Sequence, residues 1–340
     1  MRGRAIRPAP LRSGPIRRER ALARRDQGVN TLAGVKIDEI LASSRPVFSV
    51  EFFPPKTEEG RKTLFETVDV LRELGPSFFS VTYGAGGANR EGTVEITREI
   101  RDEHGVEAMA HLSCVGETKE TLRETVDEIA EAGIENILAL RGDPPRGQTD
   151  FEQPEGGLGS AAELTALINE THPDVAIGGA CFPEVHPEAA DLEADIAYLK
   201  TKVDNGASFL ITQLFYDNRS YFDFVPAARA AGIEVPIIPG IMPMTRHKQV
   251  ARIAELCEAR IPDPLSAAME AADGNEQAEF GIGVAYAAQQ CAELLREGAP
   301  GIHFYALNRW PATRAILAAL KAARPWEAGP LEEPAAVRAT

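Results

Sequence analysis

The chain has 340 residues, 44% hydrophobic and 26% charged, which is enough to bury a sizeable core in one large α/β domain or two small ones. A formal net charge of −15 argues against a nucleic-acid scaffold, and no apolar run reaches membrane-spanning length. Four cysteines, Cys114, Cys181, Cys257 and Cys291, include no CxxC pair, which points to reduced thiols in a cytoplasmic protein, not to a disulfide frame or a zinc site.

Residues 1–35 stand apart. Met1 to Arg25 is rich in Arg and Pro, and Glu19 is its only acid. It lacks the apolar core of a secretory signal, although a transit peptide shares its composition. The expectation is a disordered basic arm without chemistry. From Pro46 onward, strand and helix signals alternate. A strand at 47–53 precedes Pro54-Pro55 and a helix through Leu64, Val68 and Leu71. A second strand, 78–83, leads through Gly84-Ala85-Gly86-Gly87 into a helix at 93–103, and a third, 107–114, into one carrying Leu122, Val126 and Ile129. The fourth is the short apolar run from Asn136 to Leu140, halted by Arg141-Gly142-Asp143 and two prolines. Its loop, 144–159, is rich in Gly and Pro, and a helix starts near Ser160. Strand 175–182 precedes a helix with Leu192, Ile196, Leu199 and Val203 on one stripe. Strand 209–216 with helix 220–231, and strand 235–242 with helix 246–258, come next. An inserted helical segment, 264–295, then precedes strand 301–307 and helix 312–323.

Eight such pairs over roughly 280 residues suit an α/β fold of the (β/α)8 TIM-barrel type, for which about 250 residues is typical. A doubly wound open sheet is the alternative, but no G-x-G-x-x-G follows the first strand and no shift in composition marks a domain boundary. The expected organisation is an arm (1–35), one catalytic barrel (36–325) and a tail (326–340).

A barrel brings all eight strand ends to one face, where parallel sheets bind ligands. Delivered there are Glu51, Thr82 and Tyr83, His111, Arg141 and Asp143, the run Phe182 to Glu188, Gln213, and the runs ending in Pro243 and Arg309. A carboxyl in an apolar strand, as Glu51 is, is costly to bury unless paired or protonated, and burial raises its pKa toward that of a general acid. A structural carboxylate bonded to a neighbouring strand is the plainer alternative. His111 and His186 belong to no metal-ligand pair, so no metal is expected. Asp195 and Lys202 lie two turns apart on one helix face, as a surface ion pair also would.

The runs Phe48 to Lys56, Ser80 to Ala85, His111 to Cys114, Ala139 to Asp143, Pro183 to Glu188 and His303 to Arg309 together resemble the methylenetetrahydrofolate reductase family, collinearly from about Val47 to Leu320. The resemblance implies a flavoenzyme that binds FAD and reduces 5,10-methylenetetrahydrofolate to 5-methyltetrahydrofolate, with NADH or NADPH as donor. It implies that Glu51 is the general acid at N10, and that Asp143 is a carboxylate near both flavin and pterin. Gln213 would meet folate and nicotinamide in turn, Thr82 the nicotinamide, and Gln249 and Arg309 the folate. Tyr83, Ala85, His111, Arg141, Gly142, Ala161, His186, Asp195 and Lys202 would hold FAD, with Arg141 and Lys202 suited to its diphosphate and ring carbonyls.

Departures from the family pattern are Phe182 where a Tyr is common, Ile253 where an aromatic can stack on folate, and Tyr198 and Thr201 near the FAD ribose and phosphates. The regulatory domain of longer eukaryotic members, and feedback by adenosylmethionine, would be absent. Rival readings are another flavin barrel such as proline dehydrogenase, an aldolase-like phosphate-binding barrel, and an inactive barrel that only binds folate. The expected partners are small molecules, not nucleic acid or membrane, and a homo-oligomer is left open.

Overall fold

In the computed structural model the described residues are 34–83, 90–142 and 153–330. Most of the expected arm and tail, together with Ala85 and Asp143, lies outside the described residues.

The strands are β1 (Val47–Phe52), β2 (Phe78–Val81), β3 (Ala108–Ser113), β4 (Asn136–Leu140), β5 (Ala176–Cys181), β6 (Ala207–Thr212), β7 (Ile237–Ile238), β8 (Gly240–Ile241) and β9 (Gly301–Tyr305). All pair in parallel, in the order β7-β6-β5-β4-β3-β2-β1-β9-β8. Only Pro239 separates β7 from β8, so the two are halves of one stave. A proline has no N–H for the ladder, but its carbonyl still accepts from His303 N at 2.9 Å. One half pairs with β6 and the other with β9, and the barrel of eight staves closes as expected.

Helices follow the strands, and several begin where a short polar side chain caps the first turn. Thr57, Thr118, Ser160, Asp191 and Asp217 accept from the backbone N–H groups of Gly60, Thr121, Glu163, Ala194 and Arg219. The inserted segment forms two helices, Asp263–Ala271 and Glu276–Arg296. The sixth strand starts and ends earlier than its apolar run suggests, which leaves Gln213 just past its end instead of inside it.

Alternation along each strand sorts the side chains. On β1, Phe48, Val50 and Phe52 pack outward in a cluster with Leu64, Val68 and Leu71 of the next helix. Val47 instead joins Phe78, Met109, Leu138, Phe209 and Ile238 inside the barrel. The helix Ile37–Ser43, for which no sequence signal was read, plugs the bottom of this interior with Ile37, Ile40 and Leu41, each at most 1% exposed. Full burial of each such side chain contributes about 1.5–3 kcal/mol. A Cβ on Gly178 would stand 2.6 Å from the Phe209 ring, so glycine there makes room for the phenyl group. The middle of the barrel is therefore solid and apolar, and beneath it Asn136, whose Nδ2 donates to Glu107 Oε1 at 2.9 Å, accepts from Ile37 N of the plug helix at 2.7 Å. Polar inward positions return above it, at Ser49, His111 and His303, and ligand space opens at the C-terminal ends of the strands.

Candidate active site

Glu51 is at the centre of that face. Its side chain is 20% exposed, and its Oε2 lies 3.6 Å from His111 Nε2 and 3.5 Å from His303 Nε2. Both nitrogens are buried and lack a hydrogen-bond partner among the described residues. Burial alone pushes the Glu51 carboxyl up, as expected from sequence. The His303 contact and the His111 and His303 imidazoles outweigh it, and the net shift is downward. The expected sign is thus reversed, because burial is visible in the sequence and the two imidazoles are not. Burial pushes His111 down to about 4, so its ring is neutral near pH 7.

Around Glu51, a cavity of about 370 Å³ is lined by Thr82, Tyr83, His111, Gln213, Met242, Ile253 and Tyr305, among others. The backbone of Thr82 is held on both sides: its N–H donates to Phe52 O at 2.9 Å, and its carbonyl accepts from Thr93 Oγ1 at 2.8 Å. Tyr305 OH donates to Thr212 O at 2.6 Å, tying β9 to the top of β6 across the barrel mouth.

A second cavity, about 580 Å³, shares Leu140, Gly142, Ala180, Phe182 and Gln213 with the first. Arg141, Ala161, His186, Asp195 and Lys202 also line it, so eight of the nine residues matched to FAD positions, Tyr83, His111 and Gly142 included, line one or both of these spaces. Lys202 Nζ donates to Ala180 O at 2.9 Å, and burial lowers its proton affinity. Asp195 Oδ2 accepts from His186 N at 2.9 Å, and burial raises its pKa. Asp195 and Lys202 are thus both buried cleft residues, not a surface pair. Glu188 N donates to His186 Nδ1 at 3.0 Å, which places the proton of the neutral ring on Nε2. The loop between carries Val185 at φ 71°, a left-handed conformation that costs a β-branched residue about 1–3 kcal/mol.

Gly142, on the wall shared by the two cavities, packs tightly against the end of β3 and the chain segment that follows it. Its φ is +89°, and a Cβ would stand 2.0 Å from Ser113 Oγ. Arg141, matched to the diphosphate, forks onto Glu188 at 2.5 and 2.7 Å in this structure. Glu188 stands in a quoted motif, but nothing in the sequence marked it as the arginine's partner.

Gln249 and Arg309 lie apart from Glu51, in a third groove of about 680 Å³ that includes Phe53, Arg246, Phe280 and Tyr305. Tyr305 is common to this groove and the Glu51 cavity. Sequence reading also assigned no role to Ser49 and His303. The available signal was spacing: Ser49 and Glu51 alternate on one strand face, as do His303 and Tyr305 on another.

A profile of the methylenetetrahydrofolate reductase family matches residues 36–321. The chain is 40% identical over 283 residues to methylenetetrahydrofolate reductase (NADH) 1 of Arabidopsis thaliana, covering 80% of this chain and 48% of the plant protein. It is 41% identical over 268 residues to 5,10-methylenetetrahydrofolate reductase of Salmonella typhimurium, covering 79% of this chain and 88% of that one. It thus spans about half the length of the plant relatives. Among solved structures, an uncharacterised Clostridium thermocellum protein that binds two copies of 5-methyl-5,6,7,8-tetrahydrofolic acid superposes with a TM-score of 0.57 over 85% of this chain and 98% of its own, and at 18% identity it speaks for the fold alone. No helix among the described residues is long and apolar enough to cross a membrane. By the profile match over most of its length, the chain belongs to the methylenetetrahydrofolate reductase family.

Proposed function

We propose that this chain reduces 5,10-methylenetetrahydrofolate to 5-methyltetrahydrofolate, with bound FAD and with NADH or NADPH as donor, in a ping-pong sequence at one face of the barrel. The observation that carries the reading is a carboxylate, Glu51, on the floor of a cavity that adjoins a second one lined by cations.

The residues of the larger cavity fit FAD. Arg141 and Lys202 supply positive charge, Ala161 opens a helix whose free N–H groups suit a diphosphate, and Gly142 lets backbone approach without a side chain. The chemistry supplied by FAD bound there would be hydride transfer, from the nicotinamide to the flavin and from the flavin to the folate methylene carbon. Glu188 would leave the Arg141 fork as a diphosphate arrives, at little cost because it is exposed and such pairs contribute about 0–1 kcal/mol. Gln213, on the shared wall, is placed to meet folate and nicotinamide alternately. Thr82 would contact the nicotinamide, and Gln249 and Arg309 the part of folate that extends into the third groove. Asp143, outside the described residues, would add negative charge that favours the cation formed on folate.

Glu51 would protonate N10, which leaves poorly unless protonated, and so open the five-membered ring to the 5-iminium cation. In the free protein the two imidazoles favour the carboxylate form. The proton is therefore taken up with folate in place, when the pterin covers the carboxyl. The plant relatives carry NADH in their names, which makes NADH the first donor to try.

The test separates the two half-reactions of Glu51→Gln by anaerobic stopped flow. The variant should hold FAD and be bleached by NADH at near the wild-type rate. Its reoxidation by methylenetetrahydrofolate should fall about 10²–10⁴-fold, the usual contribution of a general acid. Folate reduction at near wild-type rate, or a purified protein that takes up no flavin, would overturn the assignment.

A further inference from the structure

We propose that His303, fixed by Ser49, is the positioning residue that holds and orients the Glu51 carboxyl. The inference rests on the reading of Glu51 as the acid, and it begins with strand register. Ser49 pairs with His303 and Glu51 with Tyr305 across β1 and β9. Ser49 and Glu51 are two residues apart on the inward face of β1, so a single imidazole from the adjoining strand reaches both. His303 is 0% exposed, and its ring packs against Phe78 at 6.4 Å and Tyr305 at 5.2 Å.

The tautomer follows from counting donors. Ser49 Oγ is 2.8 Å from His303 Nδ1 and has no other hydrogen-bond partner among the described residues. Beside the Glu51 carboxylate, which only accepts, the ring proton belongs on Nε2, and Nδ1 is then the acceptor for the Ser49 hydroxyl proton. That N–H faces Glu51 Oε2 at 3.5 Å. His111, from β3, faces the same oxygen at 3.6 Å. The titratable groups around Glu51 are thus His303 and Tyr305 on one side and His111 on the other. Both imidazole contacts fall on Oε2, which leaves Oε1 without a partner among the described residues and free to carry the proton meant for N10. His303 touches no substrate in this scheme. It acts through Glu51, by keeping one oxygen occupied and by opposing the rise in pKa that burial imposes.

The first measurement needs no variant. Long-range ¹H–¹⁵N spectra of the full chain as purified report the tautomer of each of its six histidines, and His303→Asn identifies the ring concerned. The expected form is protonated on Nε2, and Ser49→Ala should convert it to a mixture. The second is the pH profile of the folate half-reaction. In Ser49→Ala and His303→Asn its limb should move to higher pH by about one unit, and its plateau should drop about tenfold. Reduction by NADH should stay within twofold of wild type, which a merely structural role would not allow. His303→Gln, which restores a donor near Oε2, should recover part of the loss. A wild-type ring protonated on Nδ1, or an unchanged limb and plateau in Ser49→Ala, overturns the proposal, and both readouts survive if His303→Asn does not fold, because His303→Gln then identifies the ring. If Glu51→Gln abolishes folate reduction while Ser49→Ala is silent, only this inference fails. If Glu51→Gln is itself active, the assignment of the acid fails first.

Discussion

Gly142→Ala tests how tightly the chain is threaded between β4 and the larger cavity. The added methyl carbon would sit 2.0 Å from Ser113 Oγ and 2.7 Å from Val115 Cγ1, with the backbone at φ +89°. A left-handed backbone costs a residue with a Cβ about 1–2 kcal/mol. Forcing a methyl group into packed surroundings costs about 1–3 kcal/mol more, and Ser113 cannot move freely because its Oγ donates to Arg141 O at 3.0 Å. The restriction that Ala places on the unfolded chain returns about 0.4–1 kcal/mol. The expected net loss is about 2–4 kcal/mol, which a domain of ordinary stability, about 5–15 kcal/mol, survives. Urea unfolding of wild type, Gly142→Ala, Ser113→Ala and the double variant measures it. Removing the Ser113 hydroxyl should recover about 1–2 kcal/mol in the alanine background, leaving the backbone cost behind. Because Arg141 moves with this turn, FAD affinity should fall as well. A Gly142→Ala protein within 0.5 kcal/mol of wild type, with unchanged flavin affinity, would refute the reasoning about close approach.

Asn308 holds the exit of β1 against the exit of β9: its Oδ1 accepts from Phe53 N at 3.0 Å, and its Nδ2 donates to Phe53 O at 2.8 Å. Asn308→Ala should lose about 2–4 kcal/mol in chemical denaturation, and Asn308→Gly, suited to φ 55°, should recover about 1 kcal/mol of that without restoring the bonds; equal losses would count against the backbone part. At the barrel's lower end, burial raises the Glu107 carboxyl to about 7, against backbone N–H groups of Val35, Ala108 and Gly34 that pull it down. Its folded pKa lies above the ordinary value of 4.5, so the folded protein binds the extra proton and the site loses stability as pH rises from about 4.5 to about 7. The stability of wild type relative to Glu107→Gln should therefore be greater at pH 5 than at pH 8, by on the order of 1–3 kcal/mol; a gap that does not change with pH would show that the N–H donors dominate.

The alternation of strands and helices, and most of the residues carried to the barrel mouth, were legible in the sequence because both depend on local spacing. An apolar run ended by Gly or Pro marks a strand and also marks which residue leaves the core, which is how Glu51, His111, Arg141 and Gln213 were placed together. Apolar runs blur when strand and loop are both hydrophobic. The sixth strand was accordingly read two residues late at its start, and the plug helix Ile37–Ser43, too short for a periodic signal, was not read at all. The division of the seventh stave at Pro239 follows from pairing with two different neighbours, which no local pattern encodes. The charge state of Glu51 was beyond sequence for the same reason. Burial of a carboxyl in an apolar strand can be anticipated, but the groups that reverse its effect arrive from β3 and β9, and the Ser49–His303 bond closes across 254 positions of chain. Local patterning decides which side chains face the barrel axis; the register between its first and last strands decides which of them touch, and so what the carboxylate at their meeting point can do.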